Sequence, residues 1–187
     1  IKKLGANFIT EKELGKDVVL ENLTKEYDAV FLGIGATKST TYSLSDEDVE
    51  GIYKSDEFLK AYNEKQFINN LGKVVVIGGG NVAMDAARTA LRLGAETTIV
   101  YRRTENELPA RKEEVHHAKE EGIQFAMLTN PVEILGDENG WVTGVRCIRM
   151  ELGEPDASGR RSPVEVPGSE FDIETDTVIM SLGTSPN

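Results

Sequence analysis

Residues 73–103 read KVVVIGGGNVAMDAARTALRLGAETTIVYRR. Four apolar residues, Val74–Ile77, run into Gly78-Gly79-Gly80-Asn81-Val82-Ala83, a G-x-G-x-x-A turn. An Ala-rich helical stretch from Val82 to Leu93 follows and stops at Gly94, and a second β-rich run, Thr97–Tyr101, ends in Arg102 and Arg103. Strand, glycine turn, helix and strand in that order make the half-unit that cradles a dinucleotide pyrophosphate. Each position has its chemistry. Gly78 permits the tight turn out of the strand, and a side chain at Gly80 would stand between a phosphate and the backbone. Ala83 is small where helix and strand approach each other. The free amides at the helix start, aided by the macrodipole, are then suited to an anion. A glycine string alone is a weak signal. Here both flanking strands and the helix support it. The competing reading is a Gly-rich packing turn with no ligand.

The end of the second strand discriminates between dinucleotides. An NAD site carries an Asp or Glu about 20 residues beyond the first glycine, on the ribose 2′-hydroxyl. Here that neighbourhood is Val100-Tyr101-Arg102-Arg103 and holds no acid. Guanidinium groups form charge-assisted, often bidentate, bonds with phosphate, so the reading is NADP, with Arg102 and Arg103 on the 2′-phosphate and Arg111 as a further contact. Against this stands the reading of Arg102 and Arg103 as solvated charges at a strand end.

The whole chain is consistent with such a module. Its 187 residues, 39% apolar and 28% charged, suit one full core and part of a second. No apolar run approaches the roughly 20 residues of a membrane span. The net charge of −11 argues against nucleic acid or an anionic membrane as partner. Within it, Lys73–Lys112 carries seven basic and four acidic side chains, a basic island suited to a phosphorylated ligand. Arg88 and Arg92, one helical turn apart, are expected to face solvent. Cys147 is the single cysteine, so neither an internal disulfide nor a four-cysteine cluster can form. It reads as a buried strand residue and fits a reducing, cytoplasmic setting. The chain starts at Ile1, without a visible signal peptide, which suggests a piece of a longer protein.

Along the chain, Ile1–Leu4 resembles a helix end, Asn7–Thr10 a short strand, Leu20–Lys25 a short helix and Tyr27–Leu32 a buried strand. Residues 38–51 read as a linker. Ser55 is a candidate N-cap for a helix whose buried stripe is Phe58, Leu59 and Tyr62. A loop through Pro109 leads to a helix of about Arg111–Glu121, ended by Gly122, and Ile123–Leu128 is strand-like. Val132–Leu135 and Trp141–Leu152 form a hairpin around Asp137-Glu138-Asn139-Gly140. Gly153–Pro163 reads as a polar loop, and Asp176–Leu182 as a final strand. The predicted class is α/β, a Rossmann-like parallel sheet with flanking helices and a small antiparallel meander. Two segments echo each other on either side of the nucleotide motif: Ala29–Thr37 and Val178–Thr184 are both apolar runs that open into Gly/Thr loops.

These bracketing segments, with GGGNVAMDAAR (78–88), YRR (101–103), LPARKEEVHHAKEEG (108–122) and RMELGEPDASGRR (149–161), closely resemble the NADPH-linked flavoprotein family of the glutamate synthase small subunit. That family includes the NADPH-side subunit of the NADH-dependent ferredoxin:NADP oxidoreductase and a domain of dihydropyrimidine dehydrogenase. The resemblance covers essentially the whole chain and implies a glutathione-reductase-like plan, an NADPH domain inserted into a FAD domain. Residues 1–50 would be a remnant of the FAD-binding domain and 51–187 the inserted NADPH-binding domain. The chain would leave the FAD domain near Gly35-Ala36-Thr37 and return at Gly183-Thr184-Ser185-Pro186-Asn187. The cofactor-binding set is then Gly78, Gly79, Gly80, Asn81, Val82, Ala83, Arg102, Arg103, Arg111, Gly183 and Thr184.

The resemblance further implies NADP(H) on this chain, with FAD and iron–sulfur clusters only in the intact protein, beside a large or electron-accepting partner subunit. The implied function is to hold the nicotinamide for hydride transfer to flavin. No catalytic side chain is assigned, because that transfer needs alignment rather than an acid. His116-His117, adjacent on a helix, point about 100° apart and are no metal pair. Asp85 is a dipole or packing residue rather than an acid catalyst. Two other readings stay open: a non-catalytic NADP(H)-binding or subunit-interaction module, and a free-standing NADP dehydrogenase.

Overall fold

In a computed structural model the structure describes residues 2–35, 38–39, 44, 49–66, 70–157 and 159–185. It separates into two units, Ile1–Gly35 and Ala36–Asn187. The division falls upstream of the 50/51 boundary expected from the resemblance. Residues 44, 49 and 50 belong to the second unit: the Leu44 carbonyl accepts the Ile134 N–H (2.8 Å), and Glu50 exchanges backbone bonds with Gly140 and Val142.

The first unit has a short 3₁₀ turn, Lys2–Leu4, and one helix, α1 (Leu20–Glu26). Among its described residues none is buried. Two expectations fail here. Asn7–Thr10 and Tyr27–Leu32 are not strands, and Phe31 is 94% exposed. An apolar run becomes a buried strand only when a partner strand and a covering layer take up its ladder and side chains, and this unit supplies neither.

The second unit is built in three layers. The central sheet is parallel, in the order β2 (Ile52–Lys54), β10 (Thr177–Met180), β3 (Lys73–Ile77), β4 (Glu96–Tyr101) and β5 (Gln124–Met127). One face carries α2 (Ser55–Asn63), α3 (Asn81–Arg92) and α4 (Lys112–Glu120). There Val74 and Val76 meet Ala83, Met84, Ala87 and Phe58. The other face lies on an antiparallel sheet of β6 (Thr129–Gly136), β7 (Val142–Pro155), β8 (Arg161–Glu165) and β9 (Phe171–Glu174). There Val75, Ile77 and Val100 meet Ile134, Val145 and Cys147. Burial on both faces is why Val74–Ile77 is an unbroken apolar run instead of an alternating one. A two-stranded antiparallel ribbon, β1 (Lys38–Ser39) with β11 (Thr184–Ser185), joins the two ends of the unit. Ala36 and Thr37 of the first echoing segment, Pro186 and Asn187 of the expected return point, and most of the expected 38–51 linker lie outside the described residues.

Other expectations are refined. α2 begins one residue early, with Ser55 buried inside it and Lys54 at the N-cap, and Tyr62 is exposed. Arg88 and Arg92 do not simply face solvent. Arg88 bonds Glu114 (2.9 Å) and Glu121 (2.8 Å), and Arg92 shares Glu121 (2.8 Å), so the pair clamps α3 to α4. The hydrogen bond from Arg88 holds the Glu121 carboxyl below its ordinary range. The polar stretch Gly153–Pro163 is mostly ladder, with Leu152 opposite Pro163 and Pro155 opposite Arg161.

Cys147 sits on β7, buried as expected. Burial pushes its thiol up to about 12, with Asp172 adding to the rise. The thiolate is the nucleophile, so native chain is expected to resist iodoacetamide at pH 8 and to react once denatured. Mass spectrometry of both states checks this, and rapid native labelling would contradict it. The folded thiol keeps a proton that the unfolded one loses, so stability falls as pH rises from about 9 toward about 12.

Candidate dinucleotide site

β3 ends at Ile77, and the chain turns sharply through three glycines into α3. Gly78 adopts φ 141°, and a Cβ there would lie 2.3 Å from the Ser181 carbonyl oxygen, so only glycine lets β3 and β10 approach at this level. A Cβ on Gly79 would lie 2.6 Å from Leu108 Cδ2 and 2.7 Å from Tyr101 Cδ2, and its carbonyl accepts the Ala110 N–H at 3.1 Å. Gly79 thus seats the loop that follows β4. Gly80 differs from both: it is the N-cap of α3, with extended backbone (φ −87°, ψ 176°), and a Cβ would meet nothing within 4 Å. Gly80 lies beside open space at the first turn of α3, where the leading amides have no carbonyl partner within the helix. That is the cradle a phosphate requires.

The open space belongs to a cavity of about 370 Å³ at the carboxyl ends of β3, β4 and β10. It lies where strand order reverses, since β4 and β10 flank β3 on opposite sides. Of the residues expected to bind cofactor, Gly78, Gly79, Gly80, Arg102, Arg103 and Gly183 line it. The others stand elsewhere. Ala83 is fully buried on the inner face of α3 and Val82 is 45% exposed. Asn81 accepts the Arg111 N–H on Oδ1 at 2.9 Å, tying the starts of α3 and α4 together. Arg111 is the N-cap of α4, and Thr184 opens β11.

The two arginines after β4 part company. Arg102 is exposed at the cavity wall. Arg103, 6% exposed, pairs through Nη2 with Asp156 (2.7 Å) and donates from Nε to the Arg161 carbonyl (2.7 Å). The turn between them and α4 is held by a reciprocal capping box of Thr104 and Glu107, and the Tyr101 hydroxyl donates to the Glu107 carbonyl (2.8 Å).

Sequence reasoning missed several cavity residues, notably Ser181, Asn130, Pro131 and Arg160. They come from β6, the β7–β8 hairpin and the end of β10, distant in sequence from the glycine turn. A signal for one of them was present: basic Arg160-Arg161 closes the GEPDASG stretch that helps carry the family resemblance. Among the described residues no cluster of His, Cys, Asp and Glu could hold a metal ion, and no helix is long and apolar enough to cross a membrane.

Comparison with known proteins agrees with this architecture. The chain is 48% identical over 193 residues to the NADPH-Fe(3+) oxidoreductase subunit beta of Geobacter sulfurreducens, covering 100% of this chain and 28% of that protein. It is 43% identical over 197 residues to the glutamate synthase [NADPH] small chain of Escherichia coli, covering 98% of this chain and 42% of that one. The chain therefore spans less than half the length of either relative. The fold matches Mycobacterium tuberculosis FprA, solved in complex with NADPH, at a TM-score of 0.73 and 22% identity over 92% of this chain and 53% of that one. The family described as pyridine nucleotide-disulphide oxidoreductase matches residues 3–187. The α/β layers, the glycine turn at the strand-order reversal and these sequence matches converge, and the chain belongs to the pyridine nucleotide-disulphide oxidoreductase family.

Proposed function

We propose that the second unit, residues 51–187 together with the residues 36–50 that cluster with them, is the NADPH-binding domain of a cytoplasmic flavin- and iron–sulfur-linked oxidoreductase, and that the first unit, residues 1–35, is part of its FAD-binding domain. The observation that carries the reading is the cavity itself: an open Gly80 at the α3 N-terminus and an exposed Arg102 share one wall system. The α3 amides and Gly80 receive the pyrophosphate, and Arg102 receives the 2′-phosphate. NADPH held there would supply a hydride for transfer to flavin in the whole protein. This chain's part is to orient the dinucleotide and to exclude it from other registers. The antiparallel β1–β11 ribbon supports an inserted domain, because it brings entry and exit of the unit side by side. Unburied apolar side chains such as Leu4, Phe8, Ile9 and Phe31 support a first unit completed by further FAD-domain structure. Relatives named as subunits support an electron-accepting partner subunit.

Calorimetric titration of the purified 187-residue chain tests the assignment. NADPH is expected to bind, NADH more weakly, and the chain to be colourless, since one glycine fingerprint and one cysteine provide for neither FAD nor a cluster. Stoichiometric flavin absorbance would overturn the division into modules. Failure to bind either dinucleotide would favour the subunit-interaction reading instead.

A further inference from the structure

β10 ends at Met180, level with Ile77 at the end of β3, and the chain leaves the sheet through Ser181. The Ser181 N–H donates to the Ile77 carbonyl (2.8 Å), and its own carbonyl oxygen is the atom that excludes a Cβ from Gly78. Ser181 therefore stands beside the first glycine of the phosphate turn, on the far side of β3 from β4 and Arg102. It lines the cavity and is 8% exposed.

Its hydroxyl is the anomaly. Among the described residues three buried side-chain oxygens have no hydrogen-bond partner: Asp56 Oδ1, Thr97 Oγ1 and Ser181 Oγ. Of these residues only Ser181 lines the cavity. A buried hydroxyl without a partner costs folding free energy that an alanine on the same backbone would not. A serine hydroxyl turns about one bond between three staggered positions, so offering Oγ to a bound group requires no backbone shift.

Strand order says which part of the ligand lies there. With the pyrophosphate at Gly80 and the 2′-phosphate at Arg102, the adenosine half lies over the carboxyl end of β4. The other nucleoside then crosses β3 toward β10, where Ser181 is. We propose that the Ser181 hydroxyl binds the nicotinamide nucleoside of NADPH and so fixes how the nicotinamide leaves the cavity. This contact rests on the NADPH reading and goes beyond it, because it gives the unpaired hydroxyl at the end of β10 a ligand as its partner.

Calorimetry of the 187-residue chain with NADPH and with 2′-phospho-ADP, which is NADPH without its nicotinamide riboside, tests the contact. Ser181→Ala is expected to weaken NADPH about three- to tenfold and 2′-phospho-ADP less than about twofold. Because the hydroxyl has no protein partner, the thermal midpoint of the ligand-free variant is expected to stay level or rise. A structural role for the hydroxyl would lower that midpoint instead. An unchanged NADPH affinity, equal losses of both ligands, or a lowered midpoint overturns the role of Ser181 and leaves the NADPH assignment standing. A wild-type chain that binds neither ligand overturns the NADPH reading and the contact with it.

Discussion

Gly80→Val is expected to abolish NADPH binding while the chain still folds. Among the three glycines of the turn, Gly80 alone has nothing within 4 Å of a would-be Cβ, and its φ of −87° lies where a β-branched residue is at ease. The substitution therefore meets little protein and no backbone strain. Its two methyl groups stand in the space a pyrophosphate must enter to reach the α3 amides. Loss of that approach should weaken NADPH more than about 100-fold, roughly 2.7 kcal/mol or more. Circular dichroism should be unchanged and the thermal midpoint little shifted. NADPH affinity unaltered in the folded variant would place the ligand elsewhere. Gly78→Val is the control. It drives a side chain into the Ser181 carbonyl from a positive-φ position, so it should cost folding stability first.

NADPH is expected to bind more tightly than NADH, with the difference residing in the arginines after β4. Replacing Arg102 and Arg103 together by Ala should weaken NADPH strongly and NADH little. The single variants separate what the pair conflates. Arg102 is exposed on the cavity wall, so Arg102→Ala removes a ligand contact with little cost to the fold. A charge-assisted hydrogen bond is worth roughly 1.5–3 kcal/mol, about 10- to 150-fold in affinity, and solvent screening draws this site toward the lower end. Arg103→Ala breaks a pair whose guanidinium is 7% exposed, and should lower stability by about 2 kcal/mol as well as disturb the hairpin. Urea unfolding reports the second effect and calorimetry the first. Equal losses of NADPH and NADH in Arg102→Ala would assign that residue to the shared pyrophosphate. A wild-type preference for NADH would sink the NADP reading altogether.

Much of the nucleotide half was legible because its signals are local. The turn at Gly78–Gly80, the small residues of α3 and the stop at Gly94 each follow from backbone freedom and side-chain size within a few residues. The helix ends at Gly94 and Gly122, both at positive φ, were readable for the same reason. The hairpin of β6 and β7 was marked by its Asp137–Gly140 turn. There the Asp137 carboxylate accepts the N–H groups of Trp141 and Asn139, which hold it below the usual carboxylate range. β9, only four residues long, has a weak pattern of its own and exists because β7 offers it an edge.

Alone, then, the sequence determined a βαβ nucleotide unit, the glycine at which a phosphate can approach, and a cationic end to the second strand. Tertiary structure decided how each of the two arginines is used. Arg102 and Arg103 are adjacent and chemically identical, and no local rule distinguishes them. Asp156, 53 residues beyond Arg103, takes up that guanidinium and buries it, while Arg102 stays exposed; both line the cavity. Tertiary structure likewise brought Arg160 to the cavity, turned Arg88 from a surface charge into a clamp, and left Tyr27–Leu32 outside any strand. The reason is common to all four. Local conformation follows from a residue and its near neighbours, whereas the burial and pairing of a charge or a strand depend on which distant partner the fold brings to it.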